Sequence, residues 1–401
     1  MTGAVAVTRR THAQVVATAE AFADAVRFSA ADRDRAGAVP RAEAAQFDDL
    51  GLPAITVPAE DGGDGLGART LAEVIRIIAA ADPALAQIPQ GHYLAVDILR
   101  LLGTSQQRTR ILPAVVNGAR IAPVLAERGG HHAQDLKTRL VADGTGWRIE
   151  GVKYYCTGAI TSHWLTASAL DPDGRLVLAF VERDTPGVTI DEDWAAMGQR
   201  STVSGTTTLD GVVVDPDLVV PYWTAFERPQ LLGARAQLVH ASIEAGIAEG
   251  ALAEAAEFVR TRSRPFFEAV RHGQINAASE DPHILLRFGE LATRTRAAIQ
   301  LLRWAADELE NAELAPSDPN TAAHGSIAVA QAKAFASEVA VDVASQIFAL
   351  TGASGTDRRY DLDRHWRNAR THSVHDPVDW KYHHIGAWEL AGVPPPNHGQ
   401  I

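Results

Sequence analysis

The feature that most constrains the fold is a series of long amphipathic helical patterns in the last part of the chain. They run over about residues 233–263, 282–312 and 321–350, and a shorter pattern begins near Asp376. A helix with one apolar stripe must bury it, and four such helices can share a core only by packing as a bundle. The sequence therefore predicts a C-terminal four-helix-bundle domain, which we place at residues 231–401.

Helical patterns also dominate the first third of the chain. Apolar residues recur at helical spacing over residues 12–33, 70–80 and 93–102, and Pro and Gly residues separate these stretches. The sequence therefore predicts an all-α N-terminal domain over residues 1–120.

The middle of the chain has a different sequence pattern, which is typical of β-strands. Short segments with alternating or β-branched residues, which are typical of strands, lie at 147–150, 176–181 and 206–214. Asp-Gly pairs, which favour tight hairpin turns, occur at Asp143-Gly144, Asp173-Gly174 and Asp210-Gly211. We predict a β-barrel-like middle domain over residues 121–230 and an α+β fold for the whole chain.

The charge composition of the chain indicates which kinds of partner it can bind. The chain has 401 residues with 37 basic and 49 acidic side chains, a formal net charge of −12, and no basic block. Binding to nucleic acid or to anionic lipid requires clustered Lys and Arg, so neither is an expected partner. No apolar run reaches the ~20 residues that cross a bilayer.

The number of cysteines and the first residues of the chain indicate the cellular compartment of the protein. Cys156 is the only cysteine, which excludes an intrachain disulfide and fits a reducing environment. The charged pair Arg9-Arg10 follows the short apolar stretch Met1 to Val7, whereas a secretory signal carries its positive charge first. We therefore expect no signal peptide and a cytoplasmic protein.

The order of helices, strands and helix bundle directs attention to one family. The chain resembles acyl-CoA dehydrogenases over nearly its whole length, in segments that keep the same order: 51–63, 81–86, 103–121, 151–159 and 197–211. The resemblance implies the acyl-CoA dehydrogenase fold and a homotetramer.

Several segments are more similar to one branch of that family, the sulfur-acquisition oxidoreductases of the SfnB type and the dibenzothiophene monooxygenase-like flavin monooxygenases. These segments are 87–92, 197–200 and 363–377. The resemblance implies a monooxygenase of a small organosulfur compound that uses molecular oxygen and reduced FMN from a separate flavin reductase, with FAD as the alternative cofactor. No Gly-x-Gly-x-x-Gly motif follows a predicted strand, which agrees with imported reducing equivalents.

Two other functions compete with this interpretation. The first is a FAD-dependent acyl-CoA dehydrogenase or oxidase, with Asp376, Glu244 or Glu249 as the base that removes a proton. The second is a non-catalytic protein with a flavin-binding fold.

The resemblance places residues of the middle domain beside the flavin ring. Thr157 would hydrogen-bond the isoalloxazine and steady the reacting oxygen. Tyr155 would pack along the ring, and Trp194 would cover the flavin or the substrate. The competing interpretations are a strand threonine bonded to a neighbouring strand and plain aromatic packing.

The resemblance places the phosphate-binding residues in the bundle. Arg262 or Arg264 would bind the flavin phosphate through paired hydrogen bonds. The segment from Gly352 to Gly355 would bring a glycine loop toward the cofactor. The alternatives are a solvated basic helix end and a turn that only terminates a helix.

The segment 370–377 carries the residue on which the implied chemistry depends. The resemblance aligns His375-Asp376 with the tyrosine–glutamate pair that many acyl-CoA dehydrogenases use for catalysis. Aspartate is one methylene shorter, and a proline follows it. A histidine titrates near neutrality and can donate a proton to an oxygen adduct of the flavin, so we predict His375 as catalytic. A buried histidine bonded to backbone is the alternative.

Four further side chains are expected to line the substrate pocket: His92, Tyr93, His372 and Asp376. Zinc binding by His372 and His375 is an alternative, but this spacing is common by chance, so no metal is expected. Pro123 stands where relatives often carry an asparagine near the flavin. Proline has neither a polar side chain nor a backbone donor, so one flavin contact of the family is missing.

Overall fold

The structure, a computed structural model, describes residues 9–132, 135–144, 146–271 and 275–401. The expectation about residues 1–7 lies outside these ranges. The first part of the chain is helical, as predicted. Its helices are α1 His12–Arg27, α2 Ala30–Ala36, α3 Arg41–Asp49, α4 Ala68–Ala81, α5 Pro83–Gln87, α6 Gln90–Leu102 and α7 Ser105–Val116.

The predicted helix over residues 12–33 is in fact two helices, since the chain turns between α1 and α2. The turn brings the Arg33 side chain to Asp82, whose Oδ2 accepts from Nε at 3.0 Å and from Nη2 at 2.9 Å. Asp82 Oδ1 accepts from the backbone N–H groups of Ala84 and Leu85 and so caps α5. One buried carboxylate therefore joins α2 to the start of α5.

The middle of the chain forms one mixed β-sheet, which confirms a β domain between two helical parts. Its strands in the described residues are β1 Ile121–Val124, β2 Arg139–Asp143, β3 Gly146–Lys153, β4 Trp164–Leu170, β5 Leu176–Glu182, β6 Val188–Ile190, β7 Thr207–Val214 and β8 Val219–Val220. The order across the sheet is β6-β7-β3-β2-β4-β5-β8, and β1 pairs in parallel with β4.

The three Asp-Gly pairs do not have the same role. The pairs at residues 143–144 and 173–174 join antiparallel neighbours, β2 to β3 and β4 to β5, as predicted. The hairpin predicted at Asp210-Gly211 is wrong, because this pair lies inside β7. The register with β3 shifts there, and Gly211 has φ +59°. A glycine in this conformation accommodates the extra residue of a β-bulge, which explains why the same dipeptide does not make a turn.

The last part of the chain is the predicted helix bundle. Its helices are α8 Leu232–Thr261, α9 Phe267–Arg271, α10 Pro282–Glu313, α11 Pro319–Thr351, α12 Asp363–Ser373 and α13 Val378–Ala391. The sequence patterns predict α8, α10 and α11 to within two residues at each end. They do not predict α12, which is rich in charged and polar side chains that make buried contacts.

The helix α11 is long and apolar enough to cross a membrane by length and composition alone. It lies instead against α8 and α10 inside the bundle. Its buried face is mostly alanine and valine, but it also carries the buried ammonium group of Lys333. A helix packed in this way is a core helix of the bundle.

The bundle is joined to the N-terminal helices by close packing of α8 on α4. A Cβ atom at Gly246 would lie 2.5 Å from the carbonyl oxygen of Arg76, and one at Gly250 would lie 2.3 Å from that of Ala80. Both distances are far below van der Waals contact. Only glycine allows the two backbones to approach this closely.

Replacing Gly250 tests this contact. Gly250→Ala should lower the free energy of unfolding by about 1–3 kcal/mol, because the added methyl group forces α4 and α8 apart. Gly289→Ala is the matched control, since a Cβ there meets nothing within 4 Å, and helix propensity should raise stability by about 0.5–1 kcal/mol. The measurement is the urea midpoint of the helical circular dichroism signal. Equal midpoints for the two variants would contradict the close contact.

Candidate active site

A fully buried ion pair lies in the bundle. Lys333 Nζ of α11 donates to Glu244 Oε1 of α8 at 2.5 Å, and both side chains are 0% exposed. Ser337 Oγ donates to Glu244 Oε2 at 2.6 Å. Burial alone would raise the pKa of Glu244, but the charge of Lys333 and the hydrogen bond from His372 outweigh it and leave the pKa below its usual value. The carboxyl group is therefore ionised.

His372 of α12 extends this pair toward the N-terminal helices. Its Nδ1 lies 3.0 Å from Glu244 Oε1. Its Nε2 lies 3.1 Å from His240 Nδ1 of α8 and 3.1 Å from Gln87 Oε1 at the end of α5. Burial lowers the pKa of His372, and Glu244 offsets only part of that effect. The ring is therefore neutral near pH 7, and since a carboxylate can only accept, we assign the proton to Nδ1.

His375 is the exposed end of this cluster. Its ring packs on His240 with centroids 4.1 Å apart, and its side chain is 43% exposed. Its Nδ1 lies 3.0 Å from Asp376 Oδ1, and Asp376 Oδ2 lies 2.9 Å from Lys381 Nζ of α13. Burial would raise the pKa of Asp376, but the hydrogen bond from His375 and the charges of Lys333 and Lys381 hold it well below its usual value.

The same contacts argue against the zinc alternative. A histidine binds zinc through the lone pair of a ring nitrogen. Nδ1 of His372 faces Glu244, and its Nε2 faces His240 and Gln87. The ring nitrogens of His372 are therefore taken by side chains of the protein.

The middle domain contributes a second group of side chains. Thr157 Oγ1 lies 2.8 Å from Ser204 Oγ in a buried hydrogen bond. Tyr155 has φ +58° and is 54% exposed, and its ring meets that of Trp194 edge to face at 6.0 Å. Trp194 Nε1 donates to the Gln199 carbonyl oxygen at 2.9 Å. A positive φ is costly for a bulky residue and is often found at binding sites, so the outward position of Tyr155 marks this group as a candidate cofactor surface.

Two contacts bring this second group to the histidines. A Cβ at Gly158 would lie 2.9 Å from Ile88, and the residue before Ile88 contacts His372. The backbone N–H of Gln199 donates to Asn368 Oδ1 at 2.5 Å, and Asn368 lies one turn before His372 on α12. The structure therefore brings the segments that carry Thr157, Trp194 and His375 to a common junction.

The predicted phosphate-binding residues lie where α8 and α11 end. The exposed Arg262 follows α8, with its guanidinium carbon 4.7 Å from the centre of the Tyr360 ring. Arg264 is also exposed. Gly352 terminates α11 with φ +65°, and Gly355 is the buried residue of the otherwise exposed turn that follows.

These residues are far from the histidine cluster of the same chain. At 1.5 Å per residue, Arg262 lies roughly 33 Å along α8 from His240. This separation is longer than an FMN molecule. Within one chain the structure does not bring the arginines to His375.

The prediction that His92 and Tyr93 line a substrate pocket needs correction. His92 is fully buried, with Nε2 2.9 Å from the Pro53 carbonyl oxygen and Nδ1 accepting from the backbone N–H of Ile121 at 3.1 Å. Burial lowers its pKa to about 4. The buried hydroxyl of Tyr93 donates to the Leu52 carbonyl oxygen at 3.1 Å. The polar ends of both side chains are satisfied by backbone, so they hold α6 in the core.

Pro123 also contacts α6. A Cβ at Gly91 would lie 2.4 Å from Pro123 Cδ, so the proline ring fills the space beside this turn of the helix.

Four residues of the cluster are not among the predicted site residues: Gln87, His240, Lys333 and Lys381. Two of them carry a signal. Lys333 is a charged residue in an otherwise apolar stretch, and a buried lysine needs a partner. His240 lies four residues before Glu244 and therefore on the same helix face.

Family models for the domains of acyl-CoA dehydrogenases match the chain in order. The N-terminal domain matches residues 9–119, the middle domain 125–212 and the C-terminal domain 238–380.

Individual proteins match over nearly the full length. Dibenzothiophene monooxygenase of Rhodococcus erythropolis is 34% identical over 398 residues, covering 95% of this chain and 94% of the relative. The probable FMNH2-dependent monooxygenase SfnC of Pseudomonas putida is 32% identical over 387 residues, 94% of each chain.

Solved structures of related proteins also match the chain over nearly its full length. FMN-bound TdsC from Paenibacillus sp. A11-2 superposes with a TM-score of 0.90 at 30% identity, covering 96% of this chain and all of TdsC. Methanesulfinate monooxygenase MsuC from Pseudomonas fluorescens gives 0.88 at 30% identity, covering 96% of this chain and 99% of MsuC. Similarity of this extent in sequence and in structure means that the chain belongs to the acyl-CoA dehydrogenase family, in the branch that contains the dibenzothiophene monooxygenases.

Proposed function

We propose that the protein is a flavin-dependent monooxygenase that uses reduced FMN and O2 to oxidise a small organosulfur compound. The observation that carries this proposal is the placement of His375, a half-exposed histidine at the end of a buried polar network. Relatives of similar length are named monooxygenases of dibenzothiophene and of methanesulfinate, which are both sulfur compounds. Oxidation of a sulfur compound therefore fits this chain best.

The residues of the junction fit a flavin ring. Thr157 offers a hydroxyl group oriented by Ser204, while Tyr155 and Trp194 offer aromatic surface. The related TdsC is FMN-bound, which supports FMN over FAD. Reduced FMN supplies the two electrons with which one oxygen atom of O2 reaches the sulfur and the other leaves as water. The sequence has no nicotinamide-binding motif, so a separate flavin reductase is the transient partner.

His375 has the geometry of a group that holds or delivers a proton. Its Nδ1 faces Asp376, which leaves Nε2 as the ring nitrogen that meets a ligand at the exposed side of the ring. The Thr157 hydroxyl provides a second polar contact, from the middle domain. Together they would hold the reacting oxygen and keep water from competing for it.

The acyl-CoA dehydrogenase alternative needs a carboxylate that can take a proton from the substrate. Glu244 is buried against Lys333, and Asp376 is held between His375 and Lys381. Glu249 forms an ion pair with Arg76 of α4. Each candidate base is thus engaged by a cation, which disfavours the alternative.

A homotetramer would account for the position of the arginines. Since Arg262 and Arg264 lie far from His375 of their own chain, they would bind the flavin phosphate of a neighbouring copy. The apolar side chains of Leu285 and Leu286 on α10 are 56% and 65% exposed, as at a surface that packs against another copy. We also propose a cytoplasmic location, which fits the buried free thiol of Cys156.

The cofactor preference is the first test. Photoreduced FMN should bind more tightly than oxidised FMN or FAD, because the protein must capture flavin that a reductase releases. Anaerobic titration followed by tryptophan fluorescence measures the three affinities. Oxidised FAD retained through purification would favour the dehydrogenase alternative. Failure of every flavin to bind at micromolar concentration would favour a non-catalytic protein.

The phosphate site is the second test. Arg262→Ala/Arg264→Ala should weaken binding of reduced FMN by several kcal/mol at most, since each charge-assisted hydrogen bond contributes about 1.5–3 kcal/mol. Arg260→Ala, an exposed residue of the last turn of α8 that pairs with Glu257, is the matched control. The double variant should keep its circular dichroism spectrum. Unchanged flavin affinity would remove the two arginines from the site.

The third test separates the two enzyme classes. His375→Ala should bind reduced FMN but transfer oxygen about 10²–10⁴-fold less, releasing hydrogen peroxide instead, because acid–base assistance typically has this magnitude. Asp376→Asn should be milder, and His383→Ala, an exposed histidine of α13, should match the parent protein. Sulfoxidised product and hydrogen peroxide are quantified for each variant. Full coupling in His375→Ala would contradict the role proposed for His375, and a dehydrogenase would be more sensitive to Asp376→Asn.

A further inference from the structure

The carboxylate beside His375 is itself held by a buried lysine. Lys381 is 2% exposed, and its Nζ lies 2.9 Å from Asp376 Oδ2. The same ammonium group donates to the backbone carbonyl oxygen of Gln400. Burial lowers the pKa of Lys381, while Asp376 opposes that effect. A buried ammonium group requires partners of this kind, and here they come from two different segments of the chain.

The Gln400 carbonyl belongs to a tail that is fixed to the start of α8. Asn397 Nδ2 donates to the carbonyl oxygens of Phe226 and Arg228, and Asn397 Oδ1 accepts from Gln230 Nε2 at 2.8 Å. The Ile401 side chain is buried. The tail therefore presents its carbonyl to Lys381 from an ordered position.

We propose that Lys381 is a positioning residue for His375: anchored by the Gln400 carbonyl, it fixes Asp376 and compensates part of the negative charge that Asp376 presents to the ring. The role of His375 comes from the proposed function, so this inference rests on it. Lys381 is buried and contacts His375 only through the Asp376 carboxylate between them. It acts through Asp376 alone.

The charges around His375 make Lys381 the group to change. The titratable groups that face His375 or its neighbours come from four helices, the turn between α12 and α13, and the tail. They are His240 and Glu244 of α8, Lys333 of α11, His372 of α12, Asp376 of the turn, Lys381 and His384 of α13, and His398 of the tail. His240 and His372 are buried with lowered pKa values and carry no charge near neutrality. Glu244 and Lys333 compensate each other. The pair of Asp376 and Lys381 is what remains.

The sign of the effect follows from this arrangement. Without Lys381, the Asp376 carboxylate beside His375 loses the ammonium group that contacts it and keeps only the charge of Lys333. An adjacent negative charge favours the protonated ring, so His375 should keep its proton to higher pH. A residue that only supported the fold would not shift the protonation of His375 in this direction.

The experiment measures the protonation of His375 without relying on activity. Diethyl pyrocarbonate acylates neutral imidazole, and peptide mapping of the full-length protein without added flavin gives the rate at His375 against pH. In Lys381→Met the pH midpoint of His375 acylation should rise by about 1 unit. At pH values below the midpoint, His375 should therefore be acylated roughly tenfold more slowly than in the parent protein. Lys381→Arg should restore the parent midpoint. Asp376→Asn/Lys381→Met should abolish the rise, since the charge that causes it is gone.

Changes in the C-terminal tail provide a second experiment, in which Lys381 itself is unchanged. A variant that ends at His398 lacks the carbonyl anchor and should raise the midpoint, whereas Gln400→Ala keeps the backbone carbonyl and should not. This arm also serves if Lys381→Met does not fold. A parent-like midpoint in Lys381→Met and in the shortened variant would overturn the positioning role and leave the proposed function intact. A raised midpoint in a protein that binds no reduced FMN would instead support the positioning role and overturn the proposed function.

Discussion

The ion pair between Glu244 and Lys333 is the interaction on which the rest of the site depends. Moving two charges out of water costs several kcal/mol per ion, and only good geometry with further hydrogen bonds offsets that cost. Ser337 and His372 provide those bonds. Loss of one partner would leave an uncompensated charge and cost about 3–5 kcal/mol. The pair therefore fixes α8 against α11 in one register, and it holds in place the carboxylate that His372 contacts.

The polar side chains of the site form a series that begins with a buried ion pair and ends with an exposed histidine. The interior end is the ion pair, the middle is the neutral contact of His372 with His240, and the outer end is His375 against Asp376. The neutral rings lie between two charge pairs, and a proton gained or lost at His375 acts on Asp376 and His240, which both contact its ring. This arrangement suits a group that changes charge during catalysis while the bundle core stays unchanged.

Much of this fold could be predicted from sequence because its signals are local. Long apolar stripes define α8, α10 and α11, and the segments around Thr157 and His375 carry the family resemblance. The errors have physical causes. The Asp210-Gly211 pair is a bulge because a glycine at positive φ serves a turn and a bulge equally well. His92 and Tyr93 are core residues because partners distant in sequence satisfy them, and no local pattern shows this. The sequence signals that Lys333 needs a partner but not which residue it is, and Lys381 carries no local signal, for the same reason.

The close approach of α8 and α4 has a consequence for how such an enzyme can diversify. Gly246 and Gly250 face α4, whereas Glu244 lies on the opposite side of α8, since two residues turn a helix by about 200°. The helix is buried throughout from Leu232 to Ala248, so neither side can accept new side chains without loss of packing. Substitutions that change the substrate range must therefore lie outside this part of α8. The exposed ring of Tyr155 and the loop that carries Trp194 lie outside this helix, so substitutions there leave its packing undisturbed.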